Sequence, residues 1–191
     1  YVAFVDNIKT PVCPDPHFFL ILGRNFLSIY TLKQDKVPFM KWQSLTSHQC
    51  VDIGPYLKEW ISENPEHKIY IGCDSHNHNS SRKTIFATVI VLHKKGNGGH
   101  VLYNRLSVPL MNFQFERLWQ EVELSVQAAK VLEEAGIHKP DYIDIDLNPD
   151  PKYQSNTLLR AAVGMIESMG IKARYKHLSN WSIPIADKIC K

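Results

Sequence analysis

Cysteine is scarce in this sequence, and apolar residues form no long run. The absence of a CxxC pair argues against a zinc ribbon and against a dense disulfide framework, and we therefore expect a reducing, cytoplasmic setting. No apolar run reaches the roughly 18 residues that a membrane span requires, and Arg24 soon follows the short run at 18–22. The sequence thus predicts a soluble protein with no membrane partner. The cysteines are Cys13, Cys50, Cys73 and Cys190.

The sequence also lacks a strong charge imbalance and any excess of proline or glycine. Its 22 basic and 19 acidic residues leave a net charge of +3, too close to neutral to indicate a nucleic-acid-binding protein by itself. Apolar residues make up 44% of the chain and charged residues 21%, so intrinsic disorder is not indicated. A chain of 191 residues has room for one core and an appendage.

The first part of the chain differs from the rest. Over residues 1–39 aromatic residues and prolines are mixed without a helical or strand period, and the first residue is Tyr1 rather than Met. Two interpretations remain open: a non-native extension, with the natural start at Met40, or an N-terminal arm. We expect this arm or extension to cover residues 1–44 and one domain to cover residues 45–191.

Hydrophobic periodicity predicts an α/β domain. A short helix is expected first, at 51–62, and a polar cluster at 75–82 predicts a loop or hairpin turn. The predicted order βββαβαβα combines three antiparallel strands with a βαβ crossover, which gives a mixed sheet. The strands are expected at 68–74, 83–93, 100–108, 142–147 and 171–175, and the helices that follow at 113–136, 156–169 and 183–190.

Four of the predicted elements each contain an acidic residue that could contribute to one common site. Asp144 competes with Asp146, because both lie on the same face of the fourth strand. Asp146 is nearer the end of that strand, which leaves Asp144 as a supporting group or an exposed edge residue. The four acids are Asp74 at the end of the first strand, Glu121 in the long helix, Asp146 in the fourth strand and Asp187 in the last helix.

Helical spacing distinguishes two glutamates of the long helix. Glu121 and Glu123 lie about 200° apart around the helix axis, so only one can face the sheet. Glu121 shares its stripe with small or apolar residues such as Leu118 and Ala128, whereas Glu123 shares its stripe with polar ones such as Lys130. We therefore expect Glu121 to face the sheet.

Carboxylates that converge in this way are suited to hard divalent ions. Mg²⁺ and Mn²⁺ prefer oxygen ligands to thiolates. Two such ions about 3.5–4 Å apart activate a water and stabilise the leaving oxygen in phosphodiester hydrolysis. The acid set therefore favours metal-dependent phosphodiester chemistry.

This order of elements and acids resembles the ribonuclease H-like superfamily. The segments IYIGCDSH, FATVIVLH, RLWQEVELS, IDIDLNPD and IADKIC together look like the YkuK-type family of predicted ribonuclease H-like proteins, over roughly residues 68–191. The resemblance implies a mixed five-stranded sheet with helices on its faces. It also implies that two Mg²⁺ or Mn²⁺ ions are bound by the catalytic acids, namely Asp74 (bridging both ions), Glu121, Asp146 and Asp187.

Three histidines lie near these acids in the sequence. His177 falls between the fifth strand and the last helix, where the resemblance implies a catalytic proton shuttle; the alternative is an exposed loop residue. His76 stands where the family often has Gln, which departs from the pattern. His76 and His78 either bind a metal or are plain surface residues.

The leading hypothesis is a metal-dependent nuclease acting on RNA, RNA–DNA hybrid or structured DNA. Lys172, Arg174 and Lys176 alternate along the fifth strand and either meet a phosphate backbone or form a solvated face. The alternatives are a catalytically silent nucleic-acid- or protein-binding module and a transferase or resolvase. A resolvase would require a dimer, and the sequence leaves the oligomeric state open.

Overall fold

The computed structural model describes residues 40–94, 96, 98–153, 155–175 and 181–191. His177 and Lys176 lie outside these residues. The strands are β1 (Trp42–Ser44), β2 (Cys50–Val51), β3 (His67–His78), β4 (Lys83–Lys94), β5 (Gly99–Pro109), β6 (Tyr142–Asp144) and β7 (Lys172–Arg174). The helices are α1 (Ile53–Glu63), α2 (Gln114–Glu134), α3 (Asn156–Ser168) and α4 (Ile183–Cys190).

The strands form one mixed sheet in the order β2-β1-β5-β4-β3-β6-β7. Neighbours from β2 to β3 pair antiparallel, whereas β6 pairs parallel with β3 and β7 parallel with β6. The predicted α/β class and the order βββαβαβα are confirmed from β3 to α4. The predicted number of strands is wrong, because β1 and β2 extend the sheet to seven strands. Burial of Trp42 secures this extension beside β5.

The hairpin of β3 and β4 is the centre of the sheet. Its register runs from His67 opposite Lys94 to His78 opposite Lys83 without interruption. The predicted loop at 75–82 is therefore wrong over its first half, since residues 75–78 remain in β3. Their polar groups find partners, as where Asn77 accepts a hydrogen bond of 2.7 Å from Thr84. Asp74 consequently lies within the strand and not at its end.

The two faces of β3 meet different helices, because successive side chains of a strand point to opposite faces. Ile69 and Ile71 belong to the main core with residues of α1, α2 and α3. Tyr70 instead packs with Ala186 and Cys190 of α4. Asp74, which shares a face with Tyr70, therefore points towards α4.

None of the helices in the described ranges is both long enough and apolar enough to span a membrane.

Candidate metal centre

Asp74 lies in the middle of the sheet, opposite Ala87 of β4. One of its carboxylate oxygens accepts a hydrogen bond of 2.8 Å from the backbone N–H of Ser75, and the side chain is half-buried. Gly72, two residues earlier on the same face, allows α4 to approach, because a Cβ there would overlap the side chain of Ser182. The absence of a side chain at Gly72 thus brings α4 close to Asp74.

Glu121 is buried in α2, with 5% of its surface exposed. The hydroxyl of Ser75 donates a hydrogen bond of 2.5 Å to its carboxylate, and Arg117 donates bonds of 3.0 Å to the hydroxyl and carbonyl oxygens of Ser75. Glu123 points elsewhere and accepts a bond of 2.9 Å from the Trp119 indole. α2 therefore presents one of its two central glutamates to the sheet.

Asp146 follows β6, whose predicted extent to residue 147 is too long. The strand ends at Asp144 because its neighbour β7 ends at Arg174, whose carbonyl accepts a final hydrogen bond from the N–H of Ile145. The carboxylate of Asp146 is partly buried and lines a small cleft together with Glu121. The end of the parallel strands thus brings Asp146 beside the acid of α2.

Asp187 of α4 completes the group from the opposite face. One ligand atom each from Asp74, Asp187 and Cys190 lie within 4.8 Å of one another. Lys191, one helical turn later, forms an ion pair of 2.7 Å with Asp187 in which both side chains remain exposed. An ammonium group therefore lies against the carboxylate of Asp187.

Burial and the charges of neighbouring acids raise the pKa values of Asp74 and Glu121. Burial, reinforced by the negative charges of Asp146 and Asp187, raises the pKa of Asp74 to about 6, although a backbone hydrogen bond opposes the shift. Burial raises the pKa of Glu121 to about 8, the charges of Asp74 and Asp146 contribute, and the hydrogen bond from Ser75 opposes it. These couplings join all four acids in one electrostatic group, which is most strained when every member is ionised.

The donor set fits hard divalent ions. A cation among the acids would remove the repulsion, and carboxylate oxygens are the ligands that Mg²⁺ and Mn²⁺ prefer. Cys190 offers no competing thiolate, because burial and the charges of Asp74 and Asp187 raise the pKa of its thiol to about 12. The site is thus built for oxygen ligation.

Asp144 is a buried supporting group and not an exposed edge residue. Its carboxylate is fully buried and accepts five hydrogen bonds. Two come from the guanidinium of Arg174, at 2.7 and 3.0 Å, and the others come from the N–H groups of Trp181 and Ser182 and the Ser182 hydroxyl. Asp144 therefore ties β7 and the start of α4 to the central sheet.

The two histidines that follow Asp74, His76 and His78, both lie in β3. The rings of His76 and His78 are 5.0 Å apart, and Nε2 of His78 contacts the carbonyl oxygen of Cys190 at 2.9 Å. His78 thus contacts the last turn of α4. Among the described residues, His76 and His78 are not part of a cluster of three or more metal-ligating side chains.

Several residues around the acids were not identified from the sequence. Arg117 precedes Glu121 by four residues, a spacing at which helical side chains are neighbours, so helix geometry alone carries a signal for it. Ser75 adjoins Asp74, and Lys191 follows Asp187 at the same helical spacing. For Cys190 no signal exists, because a lone cysteine near a chain end has no distinguishing pattern.

Four acids, from β3, from α2, from the segment after β6 and from α4, are thus placed near one another about the central strand of a mixed sheet. The family model described as ribonuclease H-like matches residues 52–191. This chain belongs to the ribonuclease H-like family. Searches of curated proteins and of solved structures found no match to this chain. The ribonuclease H-like match covers every element that contributes an acid.

Proposed function

We propose that this ribonuclease H-like protein is a divalent-metal-dependent nuclease. The observation that supports this most directly is the raised pKa of Asp74 and of Glu121 within a group of four carboxylates. Such a group is costly in the free protein and favourable around cations. The resemblance of its segments to the YkuK-type family agrees with this proposal, and its substrate would be RNA, RNA–DNA hybrid or structured DNA.

In this proposal Asp74, Glu121, Asp146 and Asp187 hold two Mg²⁺ or Mn²⁺ ions. The ions would supply a water deprotonated near neutral pH and charge stabilisation for the leaving oxygen. Ser75 orients the carboxylate of Glu121, and Arg117 fixes the Ser75 hydroxyl in turn. Lys191 would leave Asp187 when an ion binds, because both groups of that pair are exposed and exchange readily with solvent.

The test is cleavage of labelled single-stranded, duplex, hybrid and junction substrates with Mn²⁺, followed by addition of EDTA. We expect Asp74→Asn, Glu121→Gln, Asp146→Asn and Asp187→Asn each to lower cleavage by orders of magnitude. Glu123→Gln is the matched control, since it makes the same chemical change on the same helix and should retain parental activity.

Two results would reject the nuclease. One is the absence of EDTA-sensitive cleavage of every substrate, in which case the protein would be a silent binding module on this fold. The other is cleavage that survives all four acid substitutions, since it would come from a contaminant. Loss of activity in Glu123→Gln but not in Glu121→Gln would overturn the assignment of the α2 ligand.

A further inference from the structure

A cluster of stacked aromatic rings lies on the α4 side of the sheet, at the beginning of β6. The rings of Tyr70 and Tyr142 stack at 5.7 Å with an interplanar angle of 9°. Trp181 lies 4.7 Å from the ring of His93 and 6.4 Å from that of Tyr70, measured between centroids. The cluster shares its sheet face with Asp74, because Tyr70 and Asp74 are separated by an even number of residues along β3.

Arg174 and Asp144 connect the members of this cluster. The guanidinium of Arg174 lies 4.5 Å from the centroid of Tyr70 and 4.6 Å from that of Tyr142, while it binds Asp144. The same carboxylate accepts a hydrogen bond of 3.1 Å from the backbone N–H of Trp181. The backbone and the ring of Trp181 therefore each have a partner in the structure, which favours a single orientation of the ring.

Trp181 is the accessible member of this cluster. Its exposed fraction is 47%, whereas Tyr70 is 5% exposed. A large aromatic side chain that is both fixed and exposed costs little entropy when a flat ligand stacks on it.

Two exposed lysines lie beside the aromatic cluster. Lys172 is exposed, and its ammonium group lies 5.9 Å from the centroid of Tyr142. Lys68 is exposed on the same face of β3, opposite His93. Asp141, just before β6, already accepts a hydrogen bond of 2.9 Å from a β3 amide, and the carboxylate of Asp144 is paired with Arg174. An anionic, planar ligand is therefore favoured here.

We propose that Trp181 is a stacking platform for an unpaired base of single-stranded nucleic acid, with Lys172 contacting the adjacent phosphate. Bases in a duplex are stacked on each other and offer no free face, so an exposed ring beside a cation selects single strands. The proposal rests on the nuclease function for the class of ligand. Tyr70, against which the ring of Trp181 packs, lies about 13 Å from Asp74 along the strand, at roughly 3.3 Å per residue. The platform would hold an unpaired stretch a few nucleotides from the acids.

The experiment measures binding of a fluorescent single-stranded DNA, the matched RNA and the matched duplexes to the full chain in EDTA, where no metal-dependent cleavage occurs. We expect the single strands to bind more tightly than the duplexes. Trp181→Leu should weaken single-strand binding about five- to a hundredfold, the range for loss of one stacked base. Phe115→Leu is the control, because Phe115 is 59% exposed on the opposite side of the sheet.

Two further variants separate stacking and charge from a general loss of structure. Trp181→Phe keeps a ring against His93 and should bind single strands with intermediate affinity, which tests stacking even if the leucine variant melts early. Lys172→Gln should lower the slope of log affinity against log salt by about 0.7, the value for one phosphate contact on a single strand.

The proposal fails if Trp181→Leu binds single strands as the parent does, if duplex affinity falls by the same factor, or if the parent binds no nucleic acid. The cleavage assay is independent of these results. Loss of single-strand binding in Trp181→Leu together with no EDTA-sensitive cleavage by the parent would support the platform and reject the nuclease. Metal-dependent cleavage by the parent, together with single-strand binding that Trp181→Leu leaves unchanged, would support the nuclease and reject the platform.

Discussion

Replacement of Glu121 by Gln should make the metal-free protein more stable at neutral and alkaline pH. The carboxyl group is buried in α2 and titrates near 8, so ionisation at higher pH places a negative charge in an apolar setting beside other acids. A glutamine oxygen can still accept the hydrogen bond from Ser75 while removing the need to ionise. The substitution therefore isolates the charge from the shape of the side chain.

The size of the effect follows from proton linkage. Folded Glu121 keeps its proton up to about pH 8, whereas the unfolded chain releases it near 4.5, so stability falls as pH rises between these values. At about 1.4 kcal/mol per pKa unit, the parent should lose on the order of 2 kcal/mol between about pH 6 and pH 8. The pKa of Asp74, raised from 3.8 to about 6, adds a further loss of stability that falls mainly below pH 6.

The measurement is urea unfolding in EDTA at several pH values from about 5 to 9. The slope of the free energy of unfolding against pH is then compared between variants. Glu121→Gln should flatten the slope above pH 6, whereas Glu123→Gln should keep it. A parental slope near zero, or an unchanged slope in Glu121→Gln, would refute the idea that the metal-free site holds a strained carboxyl group.

Three further outcomes are expected. Mn²⁺ at about 100 times its dissociation constant should stabilise the parent by roughly 2.7 kcal/mol per site, and calorimetry should find a much smaller gain in Asp146→Asn; an equal gain would place the ions elsewhere. Asp144→Asn should destabilise the fold by about 3–5 kcal/mol in urea unfolding, because it leaves the buried guanidinium of Arg174 unpaired. A loss below about 1 kcal/mol would contradict its structural role. Gly72→Ala should lower the melting temperature and weaken Mn²⁺ binding by displacing the start of α4, whereas Gly164→Ala, whose added methyl meets nothing within 4 Å, should be neutral or stabilising.

Local periodicity predicted the parts of the site that depend on a single element. The stripe argument selected Glu121 over Glu123, and it is Glu121 that is buried against the sheet. Strand alternation likewise requires Asp74 and Ser75 to face opposite sides of the sheet, and Ser75 does point towards α2. Such predictions succeed because helix and strand geometry fix the direction of each side chain.

Features that depend on distant partners could not be predicted in this way. The polar residues at the end of β3 predicted a turn. Their hydrogen-bond partners lie in β4, and a short sequence window does not show them. The role of Asp144 depends on Arg174 and Ser182, which lie 30 and 38 residues away. The strands β1 and β2, three and two residues long, are too short for any period to emerge.

The buried carboxylate of Asp144 has a consequence for judging which members of this family are active. It anchors the helix that carries Asp187 and the strand beside Asp146. A member could retain all four acids and still have a distorted site if this anchor were replaced. Inspection of the four acids alone would then misclassify it, so the Asp144 and Arg174 positions should be checked alongside them.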